Sequence, residues 1–195
     1  TYLNILKVFK MKGVNVMNSA ENIELTVDKS LTTALLNQKD IYTPQTWVIR
    51  GIKETKRLVK KLLEKHSLIY KPIFGSQGND VKKIENIQDL ESITNNTNIY
   101  YLQEFLHTKP FHDYRVLVIK NINQQKIFSM IRYGKSYVSN FSKGAKCMPV
   151  ELDTKLTETA LSAATVFDLP LCGVDIIRQG DKLFVRENKF ILQKI

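Results

Sequence analysis

The segment from Lys71 to Gly78 carries residue types that could hold a phosphate. A lysine at the end of an apolar stretch is followed by a short loop with glycines at positions 75 and 78. Glycine lets backbone amides approach an anion closely, and the lysine adds a point charge. The spacing matches neither the phosphate-binding loop, in which Lys follows the last Gly, nor the dinucleotide pattern that opens a helix. The segment is therefore either an anion site or an ordinary hairpin turn.

Oxygen-bearing side chains recur near the end of the chain, at Asp175, Glu187 and Asn188. The Glu and the Asn follow the Asp by twelve and thirteen residues, so paired antiparallel strands would bring the three together. Such hard oxygen ligands suit Mg²⁺, whose other positions are filled by phosphate oxygens and water. The alternative is that Asp175 caps a strand and Glu187 is solvated.

A third candidate is the polar end of the apolar run 99–106, which Asp113 and Arg115 follow. A strand that ends in a loop-like stretch can offer backbone donors and acceptors to the edge of an adenine. Asp113 would then bind ribose hydroxyls or a cation. A buried edge strand with ordinary flanking charges explains the same pattern.

The elements that must position these residues follow from the hydrophobic periodicity. Asp28 suits the N-cap of a helix. Helices are predicted over 1–12, 28–36, 52–66 and 151–167, and strands over 14–17, 46–49, 67–74, 81–84, 99–106, 114–119, 126–132, 172–178 and 183–185. Because strands dominate but helices intervene, we expect an α+β fold.

The composition is that of a globular protein. The 195 residues are 43% apolar and 25% charged, and no apolar run approaches the roughly 20 residues that span a bilayer. The start at Thr1 shows no export signal. Cys147 and Cys172 are the only cysteines, which favours a reducing, cytoplasmic location.

Charge is the unusual feature, with 29 basic and 19 acidic residues and a net charge of +10. One interpretation is an anionic partner such as a nucleotide or a nucleic acid. The other is plain lysine enrichment, since Lys, Asn and Ile share A/T-rich codons. A nucleic-acid-binding domain would cluster its basic residues with exposed aromatics. The lysines instead alternate with apolar residues along helices, which disfavours nucleic acid.

Taken in order, these candidate residues resemble the motifs of the ATP-grasp superfamily of ATP-dependent carboxylate–amine ligases. The resemblance covers nearly the whole chain and is strongest to the RimK-type α-L-glutamate ligases, above all to the branch that acts in tetrahydromethanopterin synthesis. The matching phrases are VDKSLTTALL, KPIFGSQG, YLQEF, DYRVLV, MIRYG, SNFSKGA and GVDIIR.

The resemblance implies a fold in which two α+β subdomains hold ATP between them. Residues 1–18 then correspond to the remnant of an N-terminal α/β subdomain that is mostly absent. Residues 19–98 form the first ATP-grasp subdomain, a lid with the glycine-containing flap. Residues 99–195 form the second, with the adenine hinge and the metal site.

The resemblance also assigns a role to each candidate residue. The nucleotide-binding set is Lys29 and Lys71 at the phosphates, Gly75, Ser76, Gln77 and Gly78 in the flap, Gln103, Glu104, Phe105 and Leu106 in the adenine hinge, Asp113 near the ribose, and Ser139. The transferred phosphate and the acyl substrate are contacted by Arg115, Arg132, Asn140 and Lys143. The Mg²⁺ ligands, or those of Mn²⁺ in its place, are Asp175, Glu187 and Asn188.

The activity implied is the addition of L-glutamate to an acceptor carboxylate through an acyl phosphate, with ATP and Mg²⁺. The acceptor is a tetrahydromethanopterin-type pterin cofactor, or alternatively the C-terminus of a ribosomal protein or peptide. Such chemistry needs cations and a metal rather than a nucleophile. No membrane partner is expected, and homo-oligomers are left open.

One motif departs from the family pattern, which expects Glu, an apolar residue and then Asn. The segment here reads Arg186-Glu187-Asn188-Lys189. Adjacent strand residues point to opposite faces, so Glu187 and Asn188 would share a metal only across a bulge. One hypothesis is a frameshift: for a suitable choice of codons, a single extra A after the Glu187 codon converts a family-like ending Glu-Ile-Asn-Ser-Phe-Tyr-Lys into this tail. We therefore expect a truncated or frameshifted C-terminus, which resequencing tests, and a catalytically impaired ATP-binding remnant as an alternative function.

Overall fold

The computed structural model describes residues 2–75, 79–121, 124–137 and 144–190, with the backbone alone for Tyr2 and for residues 188–190. The helices are α1 (Tyr2–Met11), α2 (Ala20–Val27), α3 (Lys29–Gln38), α4 (Ile52–Leu62), α5 (Ile87–Glu91) and α6 (Thr154–Val166). The strands are β1 (Thr46–Arg50), β2 (Leu68–Lys71), β3 (Lys82–Ile84), β4 (Ile99–Glu104), β5 (His112–Lys120), β6 (Gln125–Tyr133), β7 (Lys146–Pro149), β8 (Leu171–Gln179) and β9 (Lys182–Phe190).

The strands form two antiparallel sheets, which confirms the α+β prediction. The first has four strands in the order β1-β4-β2-β3, and the second has five in the order β7-β6-β5-β8-β9. The expected hairpin of β2 and β3 is present, with Leu68 opposite Ile84. Because β4 lies between β1 and β2, the first sheet extends to Glu104. The chain therefore passes from the first sheet to the second in the connection 105–111. The subdomain boundary expected from the sequence lies earlier, between residues 98 and 99.

Each sheet has its own hydrophobic core. Helices α4 and α5 cover the first sheet through a cluster that includes Val59 and Leu90. Helix α6 covers the second sheet, where Val116 of β5 and Val174 of β8 are fully buried against it. Each fully buried aliphatic side chain of this kind contributes about 1.5–3 kcal/mol.

Alternation along the central strands of the second sheet decides where charged residues lie. Side chains of a strand point to opposite faces in turn. Since Val116 and Val118 of β5 belong to the core with Val174 and Ile176 of β8, the residues between them face away from α6. The opposite face of this sheet is therefore the one that carries the charged candidates.

The predicted helix cap at Asp28 is confirmed, and the strand predicted at residues 14–17 is wrong. Asp28 caps α3, since its carboxylate accepts from the backbone N–H groups of Ser30 and Leu31. The strand expected at residues 14–17 does not form. Instead, the amide of Asn18 makes two hydrogen bonds to the backbone of Leu171 at the start of β8, at 2.8 and 3.0 Å. The described helices include none long and apolar enough to cross a membrane.

Burial makes a testable difference between the two thiols. Cys172 is fully buried in the core of the second sheet, and burial raises the pKa of its thiol to about 12. Cys147 on β7 is only half-buried. We expect a Cys147→Ser variant to react with Ellman's reagent at neutral pH only as fast as it unfolds, because the thiolate is the nucleophile. A Cys172→Ser variant should react in the native state. Equal rates for the two variants would contradict the burial of Cys172.

Candidate functional site

Charged side chains meet where the second sheet turns its open face toward β2 and β4 of the first sheet. Lys71 ends β2, and its Nζ lies 3.9 Å from Oε1 of Glu187 on β9. This pair joins the two sheets directly. The Lys71 side chain is 3% exposed, and a charge so far from water requires hydrogen-bonding partners.

Four charged residues of the second sheet form a continuous network. Arg132 donates from Nε and Nη2 to both carboxylate oxygens of Asp113, at 2.7 and 2.8 Å. Its Nη2 also lies 3.0 Å from Oδ2 of Asp175. Arg115 donates in the same two-pronged way to Asp175, at 2.7 and 2.9 Å. Paired guanidinium and carboxylate groups of this geometry are the stronger class of charge-assisted hydrogen bonds.

Strand register explains why these four residues meet. Asp113 is the direct cross-strand partner of Arg132, and Arg115 is the direct partner of Asp175. Directly opposite residues share a face and have neighbouring Cβ atoms. Because β5 lies between β6 and β8, it brings both pairs onto one surface.

Arg132 is the buried centre of this network. Burial by itself lowers the pKa of its guanidinium, but the charges of Asp175 and Asp113 outweigh that effect, and the net pKa is raised. The group is therefore always charged, and it acts as a fixed counter-ion for the two carboxylates.

A β-bulge brings a further cation to the site. Asp175 is opposite Glu187, but Ile176 is opposite Val185, so Arg186 is the extra residue on β9. A bulge re-aims side chains locally, and Nη1 of Arg186 lies 3.4 Å from Oδ2 of Asp113. Strict alternation would have put Arg186 and Glu187 on opposite faces. Sequence reasoning missed Arg186 for that reason, and only its place beside Glu187 could have drawn attention to it.

Lys29 holds the segment that leads into the glycine-containing loop. Its Nζ donates to the backbone oxygens of Pro72 and Gly75, each at 2.9 Å, and its backbone N–H donates to Ile73. The two predicted phosphate lysines thus lie at the edges of one segment, since Lys71 begins it.

The predicted adenine hinge shows two different environments. The Gln103 side chain is 1% exposed, and its Oε1 accepts from Lys71 Nζ at 2.7 Å. The backbone N–H groups of Glu104 and Phe105 donate to Gln45 and Ser67, which fixes the end of β4. The backbone N–H of Leu106 donates to the Glu104 oxygen at 3.1 Å. The resemblance assigns all four residues to the adenine hinge, and in the structure the side-chain amide of Gln103 is engaged with Lys71.

Other hinge side chains pack with aromatic and imidazole rings. The Phe105 ring stacks on His107 with centroids 5.1 Å apart, and Tyr137 approaches its edge. Oε1 of Glu104 lies 3.4 Å from Nδ1 of His66. The hinge therefore has an apolar side at Phe105 and a polar side at Glu104.

Some predicted site residues lie outside the described part of the chain. They are Ser76, Gln77, Gly78, Ser139, Asn140 and Lys143, together with the side chain of Asn188. The backbone register of β9 continues regularly after Glu187, with Asn188 opposite Val174 and Lys189 opposite Gly173. The bulge precedes Glu187, so it does not separate Glu187 from Asn188.

Asp175 and Glu187 fit a Mg²⁺ ion that carries phosphate ligands. They are cross-strand partners beside Lys71, and Mg²⁺ is commonly held by one or two carboxylates with phosphate oxygens and water. Across residues 2–75, 79–121, 124–137 and 144–190 no group of three His, Cys, Asp or Glu side chains could hold a metal ion. Asp175 and Glu187 are a pair of neighbouring carboxylates, and both oxygens of Asp175 accept from Arg115 in this structure.

The charge of the cluster favours an anion. Its cations are Lys71, Arg115, Arg132 and Arg186, and its anions are Asp113, Asp175 and Glu187. Four positive charges thus face three negative ones in a partly buried setting, where electrostatic interactions are stronger than in water. The seven side chains together carry a net charge of +1, which favours an anionic ligand.

Residues 26–190 match the family model described as RimK-like ATP-grasp domain. The chain is 26% identical over 188 residues to the coenzyme γ-F420-2:α-L-glutamate ligase of Methanocaldococcus jannaschii, covering 95% of this chain and 64% of that protein. It is 26% identical over 183 residues to the tetrahydromethanopterin:α-L-glutamate ligase of the same organism, covering 89% and 61%. The chain therefore spans about three-fifths of the length of these curated relatives.

Solved structures show the fold. The ADP complex of PurK, an N5-carboxyaminoimidazole ribonucleotide synthetase, superposes with a TM-score of 0.78 at 11% identity, covering 98% of this chain and 52% of that one. The ATP-grasp ligase PsnB with a precursor variant, Mg and ADP superposes with a TM-score of 0.69 at 22% identity, covering 96% and 57%. These likenesses confirm the expected ATP-grasp fold.

Proposed function

The chain belongs to the RimK-like ATP-grasp family, and on that premise we propose that it is the nucleotide-binding part of an ATP-dependent carboxylate–amine ligase. One observation carries the proposal: the buried network of Arg132, Asp113, Asp175 and Arg115, joined to the first sheet by the Lys71–Glu187 pair. An anion and a divalent cation are bound most readily where fixed charges of both signs are held in place.

A carboxylate is a poor acyl donor because its leaving group would be oxide. Transfer of the γ-phosphoryl group from ATP to a carboxylate oxygen releases ADP and gives an acyl phosphate. The amine nitrogen then attacks the acyl carbon, the phosphate leaves, and the amine loses a proton. Catalysis of this kind consists mainly of positioning and charge stabilisation.

We assign roles by position in the cluster. Lys71 and Lys29 bind phosphate oxygens, and Arg115 exchanges its bond to Asp175 for a bond to the transferred phosphoryl group. Arg132 keeps Asp113 and Asp175 in place. Asp175, once released by Arg115, and Glu187 would hold Mg²⁺, which would neutralise charge on the phosphate oxygens.

We propose L-glutamate as the amine substrate and a small cofactor with a terminal carboxylate as the acceptor. The support is that two of the relatives are named as α-L-glutamate ligases for γ-F420-2 and for tetrahydromethanopterin. A second candidate is a protein that binds nucleotide without turnover. The register of β9 favours it, because the predicted third metal ligand, Asn188, is opposite the core residue Val174, whereas Glu187 is opposite Asp175.

The test is release of inorganic phosphate from Mg-ATP. We expect release only when both L-glutamate and an acceptor are present, with tetrahydromethanopterin and γ-F420-2 as the acceptors and a peptide ending in a free carboxylate as the comparison. D-glutamate and an amidated peptide serve as controls. Tight ADP binding without phosphate release under any combination would select the second candidate instead.

A further inference from the structure

A chain of buried hydrogen bonds runs from Lys71 to helix α3. Lys71 Nζ is 2.7 Å from Gln103 Oε1, and Gln103 Nε2 is 3.0 Å from the hydroxyl of Tyr101. That hydroxyl is 2.8 Å from Oγ1 of Thr33 on α3. Gln103 and Tyr101 are each 1% exposed, so water does not compete for these bonds.

The direction of every bond in this chain is determined. An ammonium group only donates, so Gln103 must accept at Oε1 and therefore donates from Nε2. Thr33 Oγ1 donates to the backbone oxygen of Lys29 at 2.8 Å, so it accepts from Tyr101. The donors thus run one way, from the ammonium of Lys71 to the carbonyl of Lys29.

The second hydrogen of the Gln103 amide is also engaged. Nε2 lies 3.1 Å from Oγ1 of Thr46, which itself donates to the backbone oxygen of Pro44 at 2.8 Å. The Gln103 amide is therefore held by two acceptors on its nitrogen side. Burial raises the pKa of the Tyr101 hydroxyl, which keeps it protonated and able to donate.

We propose that Gln103 and Tyr101 are positioning residues for Lys71, and that they link its placement to Lys29 at the start of α3. The inference rests on the proposed function, because it takes Lys71 as a phosphate contact. It changes the role of Gln103, which acts through the lysine and the phosphates rather than on adenine. Gln103 thereby holds the Lys71 ammonium at a place 3.9 Å from Glu187, the carboxylate proposed as a Mg²⁺ ligand.

The experiment measures the dissociation constants of Mg-ADP and of adenosine by calorimetry for Gln103→Leu and Tyr101→Phe. We expect Gln103→Leu to weaken Mg-ADP binding about 10–100-fold, which is the usual effect of losing a partner that supports a ligating group. The affinity for adenosine should stay unchanged. Tyr101→Phe should also weaken Mg-ADP binding, by a smaller factor than Gln103→Leu. Tyr100→Phe removes the hydroxyl of the neighbouring buried tyrosine and is the matched control, with no change expected.

Two further results decide the inference. Tyr101→Phe added to Gln103→Leu should cause no extra loss, because residues of one chain of contacts are not additive. Equal weakening of adenosine and Mg-ADP by Gln103→Leu would overturn the inference in favour of a direct adenine contact. Unchanged Mg-ADP affinity in both single variants would overturn it as well.

A measurement without nucleotide separates this inference from the proposed function. In protein labelled at lysine with ¹³C and ¹⁵N, the side-chain signal of Lys71 is assigned with Lys71→Arg. We expect that signal to shift in Gln103→Leu and in Tyr101→Phe, and to stay in place in Tyr100→Phe. Absence of Mg-ADP binding by the unaltered protein would defeat the proposed function alone. An unmoved Lys71 signal would defeat the positioning role, and Tyr101→Phe keeps the test usable if Gln103→Leu fails to fold.

Discussion

Replacement of Arg132 by methionine is expected to lower the free energy of unfolding by about 3–5 kcal/mol, the usual cost of removing one partner from a buried ion pair. Methionine replaces the aliphatic part of the arginine side chain but carries no charge, so the loss arises mainly from the carboxylates of Asp113 and Asp175, which are left buried. Their side chains are only 3% and 6% exposed. Urea denaturation followed by circular dichroism measures the change through the midpoint and slope.

The matched control is Arg57→Met on helix α4. Arg57 pairs with Glu54, but these side chains are 74% and 59% exposed, and exposed pairs of this kind contribute at most about 1 kcal/mol. Arg132→Lys is the intermediate case, because it keeps a charge but loses the planar fork that reaches both oxygens of Asp113. Similar small losses for Arg132→Met and Arg57→Met would show that the network contributes no more than a surface pair.

The elements of the fold could be predicted from the sequence in those strands along which buried and exposed residues alternate. Strands β5 and β8 were predicted because apolar residues recur at every second position, as at Val116 and Val118. Helix α3 was predicted because Asp28 is a good N-cap. Helix α2, only eight residues long, was missed although Ser19 caps it, since a short segment carries too few apolar positions to show a period.

The candidate site could be predicted as a set of residues but not as a set of contacts. Asp113, Arg115, Arg132 and Asp175 were all identified, and the structure brings them together. Which arginine pairs with which aspartate depends on the order β6-β5-β8, and sequence alone does not reveal the order of distant strands. The role of Gln103 depends in the same way on the pairing of β4 with β2, where Ile69 is opposite Gln103.

The bulge at Arg186 shows a different limit. Local sequence offers the pattern Val185-Arg186-Glu187, which alternation reads as two residues on one face and one on the other. A bulge is decided by the fit of β9 to β8 over their whole length, and here it shifts the register between Asp175 and Ile176. The fourth cation of the cluster is therefore visible only in three dimensions.

Glu187→Gln is expected to reduce activity much more than stability. Glu187 is 19% exposed, its ion pair with Lys71 is 3.9 Å long, and glutamine keeps an oxygen that can accept from the lysine, so the loss in unfolding free energy should be smaller than the roughly 3–5 kcal/mol expected for Arg132→Met. Turnover should fall by about 10²-fold or more, because a ligand that places a metal on phosphate oxygens contributes several kcal/mol in the transition state.

Two measurements check this expectation, and the second does not depend on the acceptor. Phosphate release gives the loss in turnover, and electron paramagnetic resonance with Mn²⁺ and ADP gives the number of ions bound with the nucleotide. We expect Glu187→Gln to weaken Mn²⁺ binding in the presence of ADP, and urea denaturation should show a smaller loss of stability than for Arg132→Met. Glu91→Gln on helix α5, which breaks the surface pair with Lys56, should alter neither quantity. Unaltered Mn²⁺ binding in Glu187→Gln would exclude Glu187 as a metal ligand. Asp175 would then be the one remaining carboxylate of the proposed pair, and phosphate binding would rest chiefly on Lys71 and the arginines.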